Sequence, residues 1–222
     1  MSRLIAFGCS LTYGHGLPDC HIAPHNPGPV ASKLVWPEIV AQQLNRTCIN
    51  MSSPGSSNKR IWHTIINFKF KKDDIAVILW SWEDRSAVLR DKKSVGDIGH
   101  WIESDSTQAH YQYLYTRYDA LVQTKLYVSH ANFLLKEKAV PVYNLTIRKE
   151  TAGIFKLSEQ TTPHIPLYLW NNYKGRYPKA LDNHHPGVEC NRTFGNDVLQ
   201  YMISHKHKKS SSFIERIKCI LT

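Results

Sequence analysis

No run in this 222-residue chain approaches the roughly 18 apolar residues that a membrane-spanning helix needs. The N-terminus also lacks the charged-then-apolar region of a secretory leader. The expectation is a cytoplasmic protein without a membrane partner, released if at all by a route such as cell lysis. Cysteines are few: Cys9, Cys20, Cys48, Cys190 and Cys219 are odd in number, scattered and never spaced Cys-x-x-Cys. That pattern argues against both a zinc ribbon and a disulfide framework. Cys20-His21 with His25 lies in a stretch rich in Pro and His and reads as loop rather than metal corner, so no metal site is expected. Helix-turn-helix, zinc-finger and RNA-recognition signatures are missing, as is any internal repeat. Acidic residues are in deficit, 18 Asp+Glu against 28 Lys+Arg, for a formal net charge of +10. Such an excess favours an acidic partner or surface. The basic residues are dispersed, however, apart from Lys69-Phe70-Lys71-Lys72 and His205-Lys206-His207-Lys208-Lys209. A solvated basic face is the plainer reading, and nucleic acid is not expected as a partner.

Hydrophobic content of 42% with 11% aromatics describes a globular chain, and the length suits one sizeable core. Leu4–Phe7, Cys48–Met51, Ile75–Trp80 and Val140–Leu145 read as buried strands, with Leu167–Trp170 a candidate fifth. Helices are expected from Trp36 to about Asn45, after a Ser57 or Asn58 cap, over Tyr111–Lys138, and over Val188–His205. Pro37 and Glu38 suit the first turn of the first of these. In Tyr111–Lys138, the near-helical spacing of Tyr111, Leu114, Tyr115, Tyr118, Leu121, Val122, Leu126 and Leu134 reads as a core stripe. Leu17–Val35, with four prolines, and Ser86–His110 read as irregular; the second is an inserted loop or lid whose Trp101 anchors it or meets substrate. Thr146–Pro166 reads as irregular, with a helical turn over Ile154–Glu159. Strands alternating with helices imply an α/β stack on a parallel sheet.

The chemistry concentrates at the two ends of the chain. Gly8, Gly14 and Gly16 bracket a turn just past the first strand, where open α/β sheets place their ligand sites, and Ser10 is the hydroxyl there. It is a nucleophile candidate or merely a helix cap. In Asp182-Asn183-His184-His185-Pro186-Gly187 a carboxylate precedes a histidine by three residues. Asp182 can orient one nitrogen of His185 and leave the other to take a proton from a serine.

These blocks bear a family likeness. Phe7-Gly8-Cys9-Ser10-Leu11-Thr12-Tyr13-Gly14 resembles the first block of the SGNH (GDSL-type) hydrolases, and Asp182-x-x-His185-Pro186 resembles their last. Asn50-Met51-Ser52-Ser53-Pro54-Gly55-Ser56-Ser57-Asn58 is similar to the second block, whose glycine supplies an oxyanion-hole N–H. The wording from Phe7 to Gly16 further resembles members encoded by tailed bacteriophages. The resemblance implies a flavodoxin-like, three-layer α/β/α sandwich with about five mostly parallel strands. It also implies a triad of Ser10, His185 and Asp182, oxyanion donors at the N–H groups of Ser10 and Gly55, and no cofactor. Two blocks depart from the pattern. Cys9 stands where the family has Asp, and the third block, Gly-x-Asn-Asp, is replaced by Trp80-Ser81-Trp82-Glu83-Asp84-Arg85. Ser81, Arg85 or Asn58 is left to supply the third oxyanion donor, and Trp80 and Arg85 are candidate substrate contacts.

The domain so implied covers residues 1–205, with 86–110 as its insertion. Residues 206–222 form a basic linker through Ser210-Ser211-Ser212 and a short helix with one apolar face: Phe213, Ile214, Ile217, Ile220 and Leu221. That face packs on its own domain or docks on another copy or virion subunit. The function implied is hydrolysis of short acyl esters, O-acetyl above all, on a carbohydrate. The rival is a catalytically weak or inactive structural or carbohydrate-binding protein of a phage particle.

Overall fold

The computed structural model describes residues 2–23, 26–91, 94–149, 164–173 and 175–220, without the side chains of 170, 171 and 205–220. His25 and the turn expected over Ile154–Glu159 lie outside the described residues. In chain order the first elements are β1 (Arg3–Phe7), α1 (Ser10–Tyr13), β2 (His21–Ala23), β3 (Asn26–Pro27), α2 (Trp36–Gln43), β4 (Thr47–Asn50) and α3 (Asn58–Asn67). Then come β5 (Ile75–Trp80), β6 (Ser86–Leu89), β7 (Val95–Ile98), α4 (Asp105–Ala109), a π-helical turn (His110–Leu114) and α5 (Arg117–Glu137). The last are β8 (Val142–Thr146), β9 (His164–Tyr168), a second π-helical turn (Leu169–Tyr173) and α6 (Val188–Ile220).

The central sheet has the order β4-β1-β5-β8-β9, and every pairing in it is parallel. Its middle strands are apolar on both sides: Leu4 to Phe7 and Ala76 to Leu79 are all fully buried. Such runs are what a parallel sheet covered on both faces requires. Successive residues point to opposite faces. Leu4, Ala6, Val77 and Leu79 therefore meet Trp36 and Val40 of α2 and Phe194 and Val198 of α6. Ile5, Phe7, Ala76 and Ile78 meet Ile61 and Ile65 of α3 and Val128, Ala131 and Leu135 of α5. The result is a three-layer α/β/α sandwich, each large buried side chain contributing about 1.5–3 kcal/mol. Ser57 caps α3, its hydroxyl accepting the Arg60 N–H at 3.2 Å.

Several local expectations are corrected. Leu17–Val35 contains the short β2–β3 ladder. Ser86–His110 holds regular elements: β6 and β7 form an antiparallel pair, and α4 follows, capped by Ser104 accepting the Thr107 N–H. The long helix begins at Arg117, because Thr116 caps it with the Asp119 N–H and Tyr115 is extended. Half of the expected core stripe faces outward, with Tyr118, Leu126 and Leu114 80%, 61% and 71% exposed, whereas Leu121 packs half-buried against the core. The face that α5 buries carries Thr124, Val128, Ala131, Asn132 and Leu135, smaller and partly polar residues. Two are bonded in the interior: Asn132 accepts from Asn144, and Thr124 accepts from Asn58. Finally, α6 runs unbroken through Ser210-Ser211-Ser212, so these residues are helix rather than linker. Among the described residues no helix is long and apolar enough to cross a membrane.

Candidate active site

Past β1 the chain turns at Gly8 and winds into the single turn of α1, where the N–H groups of Thr12 and Tyr13 both donate to the Cys9 carbonyl at 3.0 Å. Ser10 opens that turn and is nearly buried. The Asn50 amide, at the end of β4, donates to the Thr12 carbonyl at 2.7 Å, and the Ser53 N–H donates to the Gly8 carbonyl at 3.3 Å. These bonds bring the β4–α3 loop, with Gly55, alongside the serine turn.

The other end of the chain arrives at the same place. One oxygen of the buried Asp182 carboxylate accepts the N–H groups of His184 (2.9 Å) and His185 (3.0 Å), an Asx-type turn. Its other oxygen lies 2.5 Å from His185 Nδ1, and His185 Nε2 lies 2.9 Å from Ser10 Oγ. The tautomer that fits this chain carries its proton on Nδ1, leaving Nε2 as the acceptor. Gly16 permits the approach: its φ is +83°, and a Cβ there would sit 2.6 Å from Asp182 Cγ. The Leu181 N–H donates to the Gly16 carbonyl at 2.9 Å, tying the two loops together.

Burial opposes charge on Asp182, but the N–H groups of His185 and His184 and then the imidazole outweigh it and hold the carboxyl below its ordinary range. Burial also lowers the His185 pKa below that of a free imidazole. The Asp182 carboxylate pulls it up, and the charges of His184 and Arg85 push it down. At neutral pH His185 is therefore a neutral base facing a hydroxyl. His15 stacks on it, ring centroids 4.7 Å apart and planes 21° from parallel. Nothing in the sequence signals that contact beyond the nearness of His15 to the serine block. His15, Asp182 and His185 bring ligand-type atoms within 4.8 Å of one another. The direct 2.5 Å contact between Asp182 and His185 is a hydrogen bond and leaves no room for an ion between those two atoms.

The opposite wall is built from the segment after β5. Trp80 is not a substrate contact: its indole is buried in the sheet and donates to Asn144 at 2.8 Å. Asn58 is not a free donor either. Its oxygen accepts the Ser81 N–H at 2.7 Å, and its NH₂ group donates to the Ser81 carbonyl and Thr124, which fills both of its donor positions. The Ser81 hydroxyl accepts from Arg85 Nη1 at 3.3 Å. The Arg85 guanidinium lies 4.2 Å from the Trp82 ring centroid and 4.4 Å from that of Trp101. Gly55 has φ +80°, and its Cβ position lies 3.3 Å from the Trp101 ring. The clamp around Arg85 was not legible, because its two rings come from different elements.

Compared by sequence alone, the chain matches no family model and no curated protein. Compared by structure, it is similar to an acetyl xylan esterase, Est2A, from Butyrivibrio proteoclasticus: TM-score 0.59, 11% identity, 93% of this chain covered. The chain has the fold of the SGNH esterases. It spans 64% of the length of Est2A. A carbohydrate esterase whose active site displays divergent catalytic and non-catalytic binding functions matches with TM-score 0.56 and 12% identity, over 91% of this chain and 65% of that one. The esterase EstA from Pseudoalteromonas sp. matches with TM-score 0.53 and 8% identity, over 93% of this chain and all of that one. In this SGNH fold the serine turn after β1 and the Asp182–His185 turn meet at the carboxyl edge of the sheet, where open α/β sheets form ligand clefts.

Proposed function

We propose that this chain is a serine esterase that removes short acyl groups, O-acetyl above all, from a carbohydrate. The observation that carries the reading is the unbroken contact from Ser10 Oγ through His185 to the buried Asp182. Ser10 attacks the ester carbonyl as His185 Nε2 takes its proton, and Asp182 holds the resulting imidazolium. The N–H groups of Ser10 and Gly55 stabilise the alkoxide, and among the described residues neither has an intramolecular acceptor. Collapse breaks the bond to the sugar oxygen, which takes the proton from His185 and leaves as the free hydroxyl. Water then repeats the sequence on the acyl-serine.

The substrate class rests on the carbohydrate esterases among the structural neighbours and on the phage-like wording of Phe7–Gly16, which suits a cell-surface glycan. The test is labelling with a fluorophosphonate beside a Ser10→Ala control, with the adduct located by peptide mass spectrometry. Acetate release from acetylated glycans is measured on the same samples. Labelling confined to Ser10 and lost in His185→Ala is the expected result. A folded protein that neither labels nor releases acetate overturns the esterase and leaves the binding or scaffold role.

A further inference from the structure

We propose that Arg85 is the third oxyanion donor of this site, a cation in place of a neutral amide, and that Trp82 and Trp101 exist to clamp it there. The inference rests on the esterase reading above and deepens it. β1 and β5 are neighbours with Phe7 opposite Ile78, so Ser10 and Ser81 each lie three residues beyond a paired position. The two chains therefore leave the sheet side by side at matching height. Asn58 fixes Ser81 through both its N–H and its carbonyl, and Ser81 in turn holds one guanidinium nitrogen.

Two indole rings lie within 4.4 Å of the guanidinium carbon, and a stacked guanidinium offers a ligand the N–H donors of its edge. Among the described residues no carboxylate lies within ion-pair distance of Arg85. Its charge acts on His185 and also on Asp97 and Tyr111. Trp101 touches Arg85 on one side and Gly55 on another, fixing the cation relative to an expected N–H donor. The β6–β7 pair before Trp101 is anchored to α3 by the Arg60–Asp97 ion pair.

As the Ser10 Oγ–carbon bond forms, the carbonyl π pair moves onto oxygen and the serine proton goes to His185. Arg85 donates an N–H hydrogen bond to the alkoxide and keeps its proton. When the pair returns and the carbon–oxygen bond to the leaving alcohol breaks, that contact weakens again.

The experiment is steady-state hydrolysis of a neutral ester, p-nitrophenyl acetate, by the full chain and its Arg85→Gln and Arg85→Lys variants, with folding checked by circular dichroism. Loss of one oxyanion donor lowers kcat by about 100- to 1,000-fold. The expected result is that loss in Arg85→Gln with KM within about threefold, and partial retention in Arg85→Lys. The acid limb of the pH profile moves upward in Arg85→Gln, because a cation that disfavours protonated His185 is gone. Trp101→Ala, at a half-exposed position, loosens the clamp and lowers kcat less, which keeps the test open if Arg85→Gln fails to fold. Full kcat in a folded Arg85→Gln overturns the proposal, and so does a defect confined to KM or to acidic esters. An inert wild-type chain overturns the esterase reading, whereas an active one with an indifferent Arg85 overturns this inference alone.

Discussion

On one side of Ser10 stands a turn whose polar atoms are matched within three residues, Asp182 to the N–H groups of His184 and His185 and to the imidazole. On the other stands Arg85, held by indole rings from either side of the β6–β7 pair and by a serine that Asn58 pins from α3. The first wall is local chemistry and moves as a unit. The second is an assembly of four segments, so its geometry depends on how α3, β5, the β6–β7 pair and α5 pack together. The first is legible as a sequence motif and the second is not.

The sharpest way to break the local wall leaves its chemical groups in place. In Gly16→Ala the added methyl overlaps the Asp182 carboxylate and strains a backbone at φ +83°. We expect kcat to fall by at least about 100-fold, the scale of an ångström-sized misplacement, with Ser10, His185 and Asp182 all present. Single-turnover acylation rates check this, and unchanged acylation would show that the carboxylate tolerates displacement.

A milder separation of the walls comes from pH. Protonated His185 cannot accept the serine proton, and burial holds its pKa below the ordinary imidazole value of about 6.5. Activity in kcat/KM should therefore be full at neutral pH and fall about tenfold per pH unit below a midpoint under 6.5. A midpoint above 6.5 would mean that the Asp182 charge outweighs burial and the Arg85 wall together.

The smallest effects belong to α5, which supports the Arg85 wall with one face only. Leu135→Ala, in the core, should cost about 2–5 kcal/mol in urea unfolding, whereas Phe133→Ser, 59% exposed, should stay within about 0.5 kcal/mol. A large loss from Phe133→Ser would show that the outward aromatic stripe is covered in solution.

Much of the fold was legible because its signals are short-ranged. The strands read as uninterrupted apolar runs, and Pro37 and Ser57 mark helix starts where the chain uses them. The pairing of Asp182 with His185 was legible from a three-residue spacing. The stripe from Tyr111 to Leu134 was read correctly only in part, with Leu121 on the core and Leu114, Tyr118, Val122 and Leu126 exposed, because helical periodicity says that a face exists, not which face meets the sheet. The tertiary packing instead buries Thr124 and Asn132, which satisfy Asn58 and Asn144. Trp80 and Asn58 were misassigned for the same reason: a polar or aromatic side chain next to a site reads alike whether it faces substrate or pins a strand.

The sequence by itself determined the layered α/β architecture, the serine turn and the acid–histidine turn, because each follows from neighbours a few residues apart. Only the tertiary structure decided which side chains line the opposite wall. Trp82, Arg85 and Trp101 share no period or spacing, and their stacking exists only once the β6–β7 pair is docked on α3.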